Sequence, residues 1–274
     1  MLILLPPSEG KATAEEGPAL DLASLSFPFL SDSRERVLST LVALCRDADE
    51  GRARAVLGLS PGQSGEILKN KELLSSPALP AADLYTGVLY DNLGLSRLSP
   101  DARGRAERSL LVFSGLWGLL RVNDRVPPYR LSMGVRLPPL GPLASFWRAP
   151  VSEALADADG LIVDMRSATY ASAWRPKGPA VSVRVLKGGK VVSHMAKATR
   201  GEVARSLLVA DADPRSPEEL AKVLIDLDYD VRLGDPPRPG SAWTLDILLE
   251  TPAPPDPSAL LLLRSCSGPL VPGP

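Results

Sequence analysis

The chain has 274 residues, 45% of them hydrophobic, and a formal net charge of −1 at pH 7. Length and apolar content are those of a globular protein with a sizeable core. The near-neutral balance excludes a global basic field, so any affinity for nucleic acid must come from a local cluster of cations.

Two cysteines, Cys45 and Cys266, and the single histidine His194 form neither a disulfide framework nor a metal-ligand spacing. No metal is therefore expected, no cofactor is expected either, and a reducing cytoplasmic setting fits. The opening Met-Leu-Ile-Leu-Leu has no basic lead and is broken by Pro6 and Pro7, unlike a signal peptide. No apolar run approaches the length of a membrane span, so no membrane contact is expected.

Leu2 to Leu5 reads as a short buried strand closed by Pro6 and Pro7. The loop Ser8-Glu9-Gly10-Lys11 follows at its carboxyl end, where ligands gather in open α/β sheets. Ser8 and Lys11 are thus candidates for contacting an anion. Residues 12–31 read as irregular. Asp32 as N-cap with Glu35 three positions on predicts a helix to about Arg46.

Two apolar helical segments then flank Gly58-Leu59-Ser60-Pro61-Gly62. This turn resembles a helix-hairpin-helix element, spanning about residues 33–75, in which turn amides and a helix N-terminus hold a nucleic-acid phosphate. Contact of that kind is independent of base sequence. A plain corner between two helices has the same composition.

Residues 82–90 predict a helix, and Ser99-Pro100-Asp101 begins another with proline at the first helical position. Ser109 to Phe113 predicts a second buried strand. It delivers the chain into Ser114–Gly134, which holds Arg121, Arg125 and Arg130 between Gly115, Gly118 and the Pro127-Pro128 pair. Glycines there permit close backbone approach, and the arginines offer planar donors matched to phosphate or carboxylate. The segment reads as an anion-binding surface or as a structural turn with solvated arginines.

Residues 143–148 predict a helix burying Phe146 and Trp147. Gly160 to Tyr170 predicts a strand ending in Asp164, Arg166, Ser167 and Tyr170. Ala180 to Leu186 alternates as a half-exposed strand, turns at Gly188-Gly189, and is expected to return along Val191 to Met195. The following helix places Lys197, Arg200 or Gly201, and Ala204 or Arg205 on one face, so several cations line one side. A helix capped by Ser216 and a strand over Thr244 to Glu250 complete the pattern, and residues 251–274 form a Pro-rich tail expected to be disordered.

Five segments in order resemble the YaaA peroxide-stress protein family: Leu-Leu-Pro-Pro-Ser-Glu-Gly-Lys at 4–11, Leu-Tyr-Thr-Gly at 84–87, Ser-Gly-Leu-Trp-Gly-Leu-Leu-Arg at 114–121, Pro-Tyr-Arg-Leu-Ser-Met-Gly at 128–134 and His-Met-Ala-Lys-Ala-Thr-Arg-Gly at 194–201. The first loop departs from the Ser-Pro-Ala-Lys form of other members. The resemblance covers roughly residues 1–250.

It implies a compact α/β fold, α+β being the alternative, with one mixed-sheet domain over 1–250, a helix-hairpin-helix and a basic cleft. It also implies a cytoplasmic protein that binds DNA and limits peroxide damage by lowering unincorporated iron. Carried over by position, the cleft involves Lys11, Arg121, Arg130, Lys197 and Arg200, with Gly58 to Gly62 as the hairpin; Arg166 joins them from the residue pattern. The other expectation is an enzyme for a small anionic ligand, a phosphorylated or nucleotide-like molecule, with Lys197, His194 or Ser8 as catalytic candidates.

Overall fold

The structure, a computed structural model, describes residues 1–238 and 240–249, without the side chains of Ser193 and His194. The expected tail 251–274, Cys266 and the His194 side chain lie outside the described residues.

Strand β1 (Leu2–Leu5) is followed by irregular chain with two short 3-10 turns, the second leading directly into α1 (Ser31–Asp47). Helices α2 (Glu50–Leu57) and α3 (Ser64–Lys71) precede the two-residue β2 (Leu79–Pro80), α4 (Ala81–Leu84), α5 (Val88–Leu93) and α6 (Pro100–Ser109). Strands β3 (Leu110–Ser114) and β4 (Gly118–Leu120) form a tight pair. After them come the short β5 (Arg125–Val126), β6 (Arg136–Leu137) and β7 (Gly141–Pro142), and then α7 (Leu143–Ala154). The remaining chain forms β8 (Ile162–Asp164), α8 (Ala168–Ala171), β9 (Ala180–Lys187), β10 (Lys190–Val191), α9 (Ser193–Val209), α10 (Pro217–Asp226), β11 (Val231–Gly234) and β12 (Trp243–Leu249).

The main sheet runs β11-β12-β9-β8-β1-β3-β4, with β10 paired to the end of β9. The inner strands β12, β9, β8, β1 and β3 are parallel, and β11, β4 and β10 are antiparallel additions. This is the expected α/β class with a mixed sheet. All of β3 and most of β1 are buried, so the centre of the sheet is covered on both faces. From β1 the chain steps to β3 on one side and later to β8 on the other, so the winding reverses at β1. A crevice at the carboxyl ends of the strands is the geometric result.

Two glycines fix the approach of the segments around that crevice. A Cβ on Gly115 would lie 2.6 Å from the Leu131 carbonyl oxygen, which brings the backbone after β3 against residues 131–133. A Cβ on Gly201 would overlap the Leu89 carbonyl, because α9 packs directly on α5. Trp147 closes the core below β4 and donates its indole N–H to the Gly115 carbonyl at 2.9 Å.

Three local expectations change. Helix α1 starts one residue before Asp32 and is capped by no side chain, because the 3-10 turn Pro28–Leu30 runs straight into it. The helix expected over 82–90 is split into α4 and α5. Gly87 at φ 94 breaks it, and Tyr85 instead pairs antiparallel with Lys11. The strand expected to return along Val191 to Met195 stops at Val191, since α9 begins at Ser193.

Candidate functional site

The loop leaving β1 does not project into solvent. It lies along residues 84–86, with Ala12 N–H bonded to the Leu84 carbonyl at 2.8 Å and the Tyr90 hydroxyl donating to the Pro6 carbonyl at 2.8 Å. Lys11 is thereby turned back over the carboxyl ends of β1 and β3. Its Nζ donates to the Ser8 carbonyl at 2.8 Å and sits 4.3 Å from the centre of the Tyr129 ring and 5.6 Å from that of Tyr85. Both ring faces present negative quadrupole to the amine.

The tyrosines form a connected set. Tyr85 and Tyr129 share a hydrogen bond of 2.9 Å, and Tyr129 shares one of 2.6 Å with Ser114 Oγ. Ser114 Oγ in turn accepts from the amides of Leu116 and Trp117, which fixes the end of β3. Tyr90 stacks on Tyr85 at 5.3 Å, and Tyr170, on α8 after β8, faces Ser132 and Met133. Residues delivered by β1, β3 and β8 thus converge at the point where the winding reverses.

Electrostatics single out Lys11. Burial, and then the neighbouring Arg130 guanidinium, lower its pKa from 10.5 to about 7; Lys69 adds to the effect, while Glu66 and Glu9 oppose it. Half of the side chain is therefore uncharged near neutrality. Burial also holds the phenols of Tyr85, Tyr90, Tyr129 and Tyr170 above their ordinary value, so all four stay protonated at neutral pH.

The rim is built by α3 and the loop around Arg130. Buried Asn70 accepts from the Arg130 amide and donates to the Arg130 carbonyl, both at 2.9 Å, the way a neighbouring strand would. Arg130 then reaches the exposed Glu9 at 3.2 Å. At its other end α3 is preceded by the turn Gly58–Gln63, where Gly58 takes the left-handed conformation at φ 66 and closes α2. Ser60 and Gln63 cap each other across the turn, and a Cβ at Gly58, Gly62 or Gly65 would meet nothing within 4 Å. The expected pair of helices around an open turn is present.

Other sequence candidates are placed elsewhere. Arg121 donates to the Glu107 and Arg108 carbonyls and covers the Phe27 ring, so it closes the end of α6 rather than facing Lys11. Arg125 donates to the Ala78 carbonyl. The Arg166 side chain is fully buried: it grips Asp164 through two donors, reaches the Tyr170 and Trp174 carbonyls, and stacks 4.0 Å over Phe113. It is an internal strut with little left to offer an incoming anion. Arg200 donates to the Val183 carbonyl, and Arg205 binds the Leu93 and Gly94 carbonyls, so the expected stripe of cations on α9 serves packing. Lys197 is exposed on that helix, and Ser8 bonds the Gly10 carbonyl within its own loop.

Tyr129, Ser114, Tyr90, Asn70 and Glu66 were not singled out by sequence. Tyr129 carried a signal, lying between Pro128 and Arg130 inside Ser114–Gly134. Among the described residues no group of three or more His, Cys, Asp or Glu side chains could hold a metal ion, and no helix is long and apolar enough to cross a membrane. An open cleft of about 450 Å³ is lined by Tyr85, Tyr90, Asp91 and Arg97.

Residues 1–232 match the family model described as peroxide stress protein YaaA. The chain belongs to the YaaA family. Every element that builds the Lys11 site lies inside the YaaA match. A UPF0246 protein of Streptomyces coelicolor is 54% identical over 257 residues, covering 91% of this chain and 98% of the relative. One from Corynebacterium efficiens is 42% identical, covering 81% of this chain and 91% of its own length. An uncharacterized Campylobacter jejuni protein is 30% identical, covering 73% and 82%. The YaaA family places the chain in peroxide stress.

Proposed function

We propose that the chain binds DNA through its phosphates, without reading base sequence, and that it acts in peroxide stress by limiting the damage caused by unincorporated iron. The observation that carries the DNA reading is the open Gly58–Gly62 turn at the head of α3. Amides that start a helix lack intrahelical acceptors and carry partial positive charge, and no side chain covers the turn glycines. The far end of the same helix is keyed by Asn70 to the loop holding Arg130. A phosphate at the turn and a second one at Arg130 would then be held by one rigid unit. Exposed Lys197 is the further cation assigned to this role. The link to iron rests on the family resemblance alone.

Fluorescence-anisotropy titrations of a labelled duplex at rising salt test this. Each neutralised phosphate contributes roughly −0.9 to the slope of log affinity against log salt. Combining Arg130→Ala with Lys197→Ala should weaken binding and flatten the slope by about 2. Unchanged affinity and slope would remove both residues from the interface. A second reading, chemistry on a small phosphorylated molecule, is favoured by one observation: phosphate binding needs cations, not a partly neutral lysine against two tyrosine rings.

A further inference from the structure

We propose that Lys11 is a nucleophilic amine that forms an imine with an aldehyde carried next to a phosphate. The inference extends the reading above, on which it rests for one of its two substrate sources. Lys11 has no carboxylate partner among the described residues; its single hydrogen bond goes to the Ser8 carbonyl, an acceptor it can release when its nitrogen becomes trigonal. The Tyr129 and Tyr85 rings lie 4.3 and 5.6 Å from that nitrogen, placed to favour the cation of a protonated imine. The same two rings carry a connected hydroxyl chain, Tyr85–Tyr129–Ser114, that can relay a proton. Arg130, held at its amide and carbonyl by Asn70, supplies the fork for a neighbouring phosphate, with exposed Glu9 as a displaceable partner.

The chemistry balances without an added oxidant or reductant. The lone pair of Lys11 Nζ attacks the aldehyde carbon, the carbonyl π pair moves onto oxygen, and the proton that the nitrogen gives up is relayed through the tyrosine hydroxyls to that oxygen. The resulting carbinolamine loses that oxygen as water, leaving a carbon–nitrogen double bond; hydrolysis reverses both steps. None of the phenols needs to ionise, since a hydroxyl chain can pass a proton while each oxygen keeps one. The attacking form is available because Lys11 titrates near 7. At that pH an ordinary exposed lysine is free amine in roughly one molecule of 3,000. The groups that set the Lys11 value are Arg130 and Lys69, which favour the free amine, and Glu66 and Glu9, which oppose it.

Two sources could carry such an aldehyde beside a phosphate: the opened sugar of an abasic site in DNA, or a small phosphorylated aldehyde. Borohydride reduction of an imine gives a permanent amine link, so trapping at pH 7 with each probe in turn is the test. One arm uses a duplex with a single abasic site and the other uses glycolaldehyde phosphate, with peptide mass mapping of the adduct. The expected result is an adduct on Lys11 in at least one arm, exceeding that at Lys69 or Lys197 by on the order of tenfold or more. Lys11→Arg, which keeps the charge but has no free amine, should abolish it, and mapping of the unmodified protein locates the link even if that variant fails to fold. Trapping in neither arm, or trapping spread over surface lysines, overturns the inference. If an intact duplex binds but nothing is trapped, the amine fails while the DNA reading stands. If only the small aldehyde is trapped at Lys11 and no duplex binds, the DNA reading fails and the amine stands.

Discussion

Replacing Lys11 by Met tests the electrostatics of the site without any ligand. In the folded protein Lys11 titrates near 7 instead of 10.5, mainly because it is removed from water and faces Arg130. Between those values the unfolded chain holds a proton on Lys11 that the folded chain does not. Stability therefore rises with pH across this window: the cost of the charged lysine is fully present below the folded value and disappears towards the unfolded one. The slope is set by one proton, about 1.4 kcal/mol per pH unit at most. From pH 7.5 to pH 9 the wild type should gain about 2 kcal/mol relative to Lys11→Met. Urea unfolding at the two pH values, with linear extrapolation for each protein, measures it. Cys45, whose thiol burial pushes up, titrates in both proteins and cancels in the difference. The buried tyrosines act in the opposite sense only as pH approaches and passes 10, outside the window. Parallel pH dependence in the two proteins would refute a lowered lysine and remove the free amine from the site.

Other outcomes follow from the packing. Gly115→Ala forces a Cβ against the Leu131 carbonyl, and Gly201→Ala forces one against the Leu89 carbonyl; each should cost about 1–3 kcal/mol in chemical denaturation, and the first should also disturb Arg130. Asn70→Ala removes both bonds to the Arg130 backbone and should lose about 1–3 kcal/mol. Faster amide exchange at residues 129–131 would accompany it. Asp164→Asn leaves the buried Arg166 charge without its partner and should cost about 3–5 kcal/mol, whereas Arg184→Ala removes a half-exposed arginine from Asp246, which keeps Arg232, and should cost under about 1 kcal/mol. Equal losses at these two sites would contradict the burial difference.

How much of this could be read from the sequence depended on whether a signal was local. The apolar runs at Leu2–Leu5 and Leu110–Phe113, the proline at the start of α6 and the turn at Gly58–Gly62 are each decided by neighbours in the chain, and each was legible. The break at Gly87 was not, because what holds Tyr85 extended is its pairing with Lys11, far away in sequence. The arginines were hardest. Composition identifies a cation but not its acceptor, and Arg121, Arg166, Arg200 and Arg205 find theirs in carbonyls or an aspartate supplied by distant elements. Lys11 was found for its place after a strand, yet its lowered pKa depends on burial and on Arg130, which only the folded chain brings to it. Tyr129 could have been found, since it adjoins Arg130. Asn70 could not, because a buried side-chain amide serving as a strand edge leaves no pattern.

Amide hydrogen exchange with and without an intact duplex tests the central claim most directly, since it maps contact without altering a residue. The account predicts added protection at residues 58–65 and 129–131, on the turn and the Arg130 loop that α3 joins. Binding that leaves both segments unchanged while protecting other surfaces would contradict it.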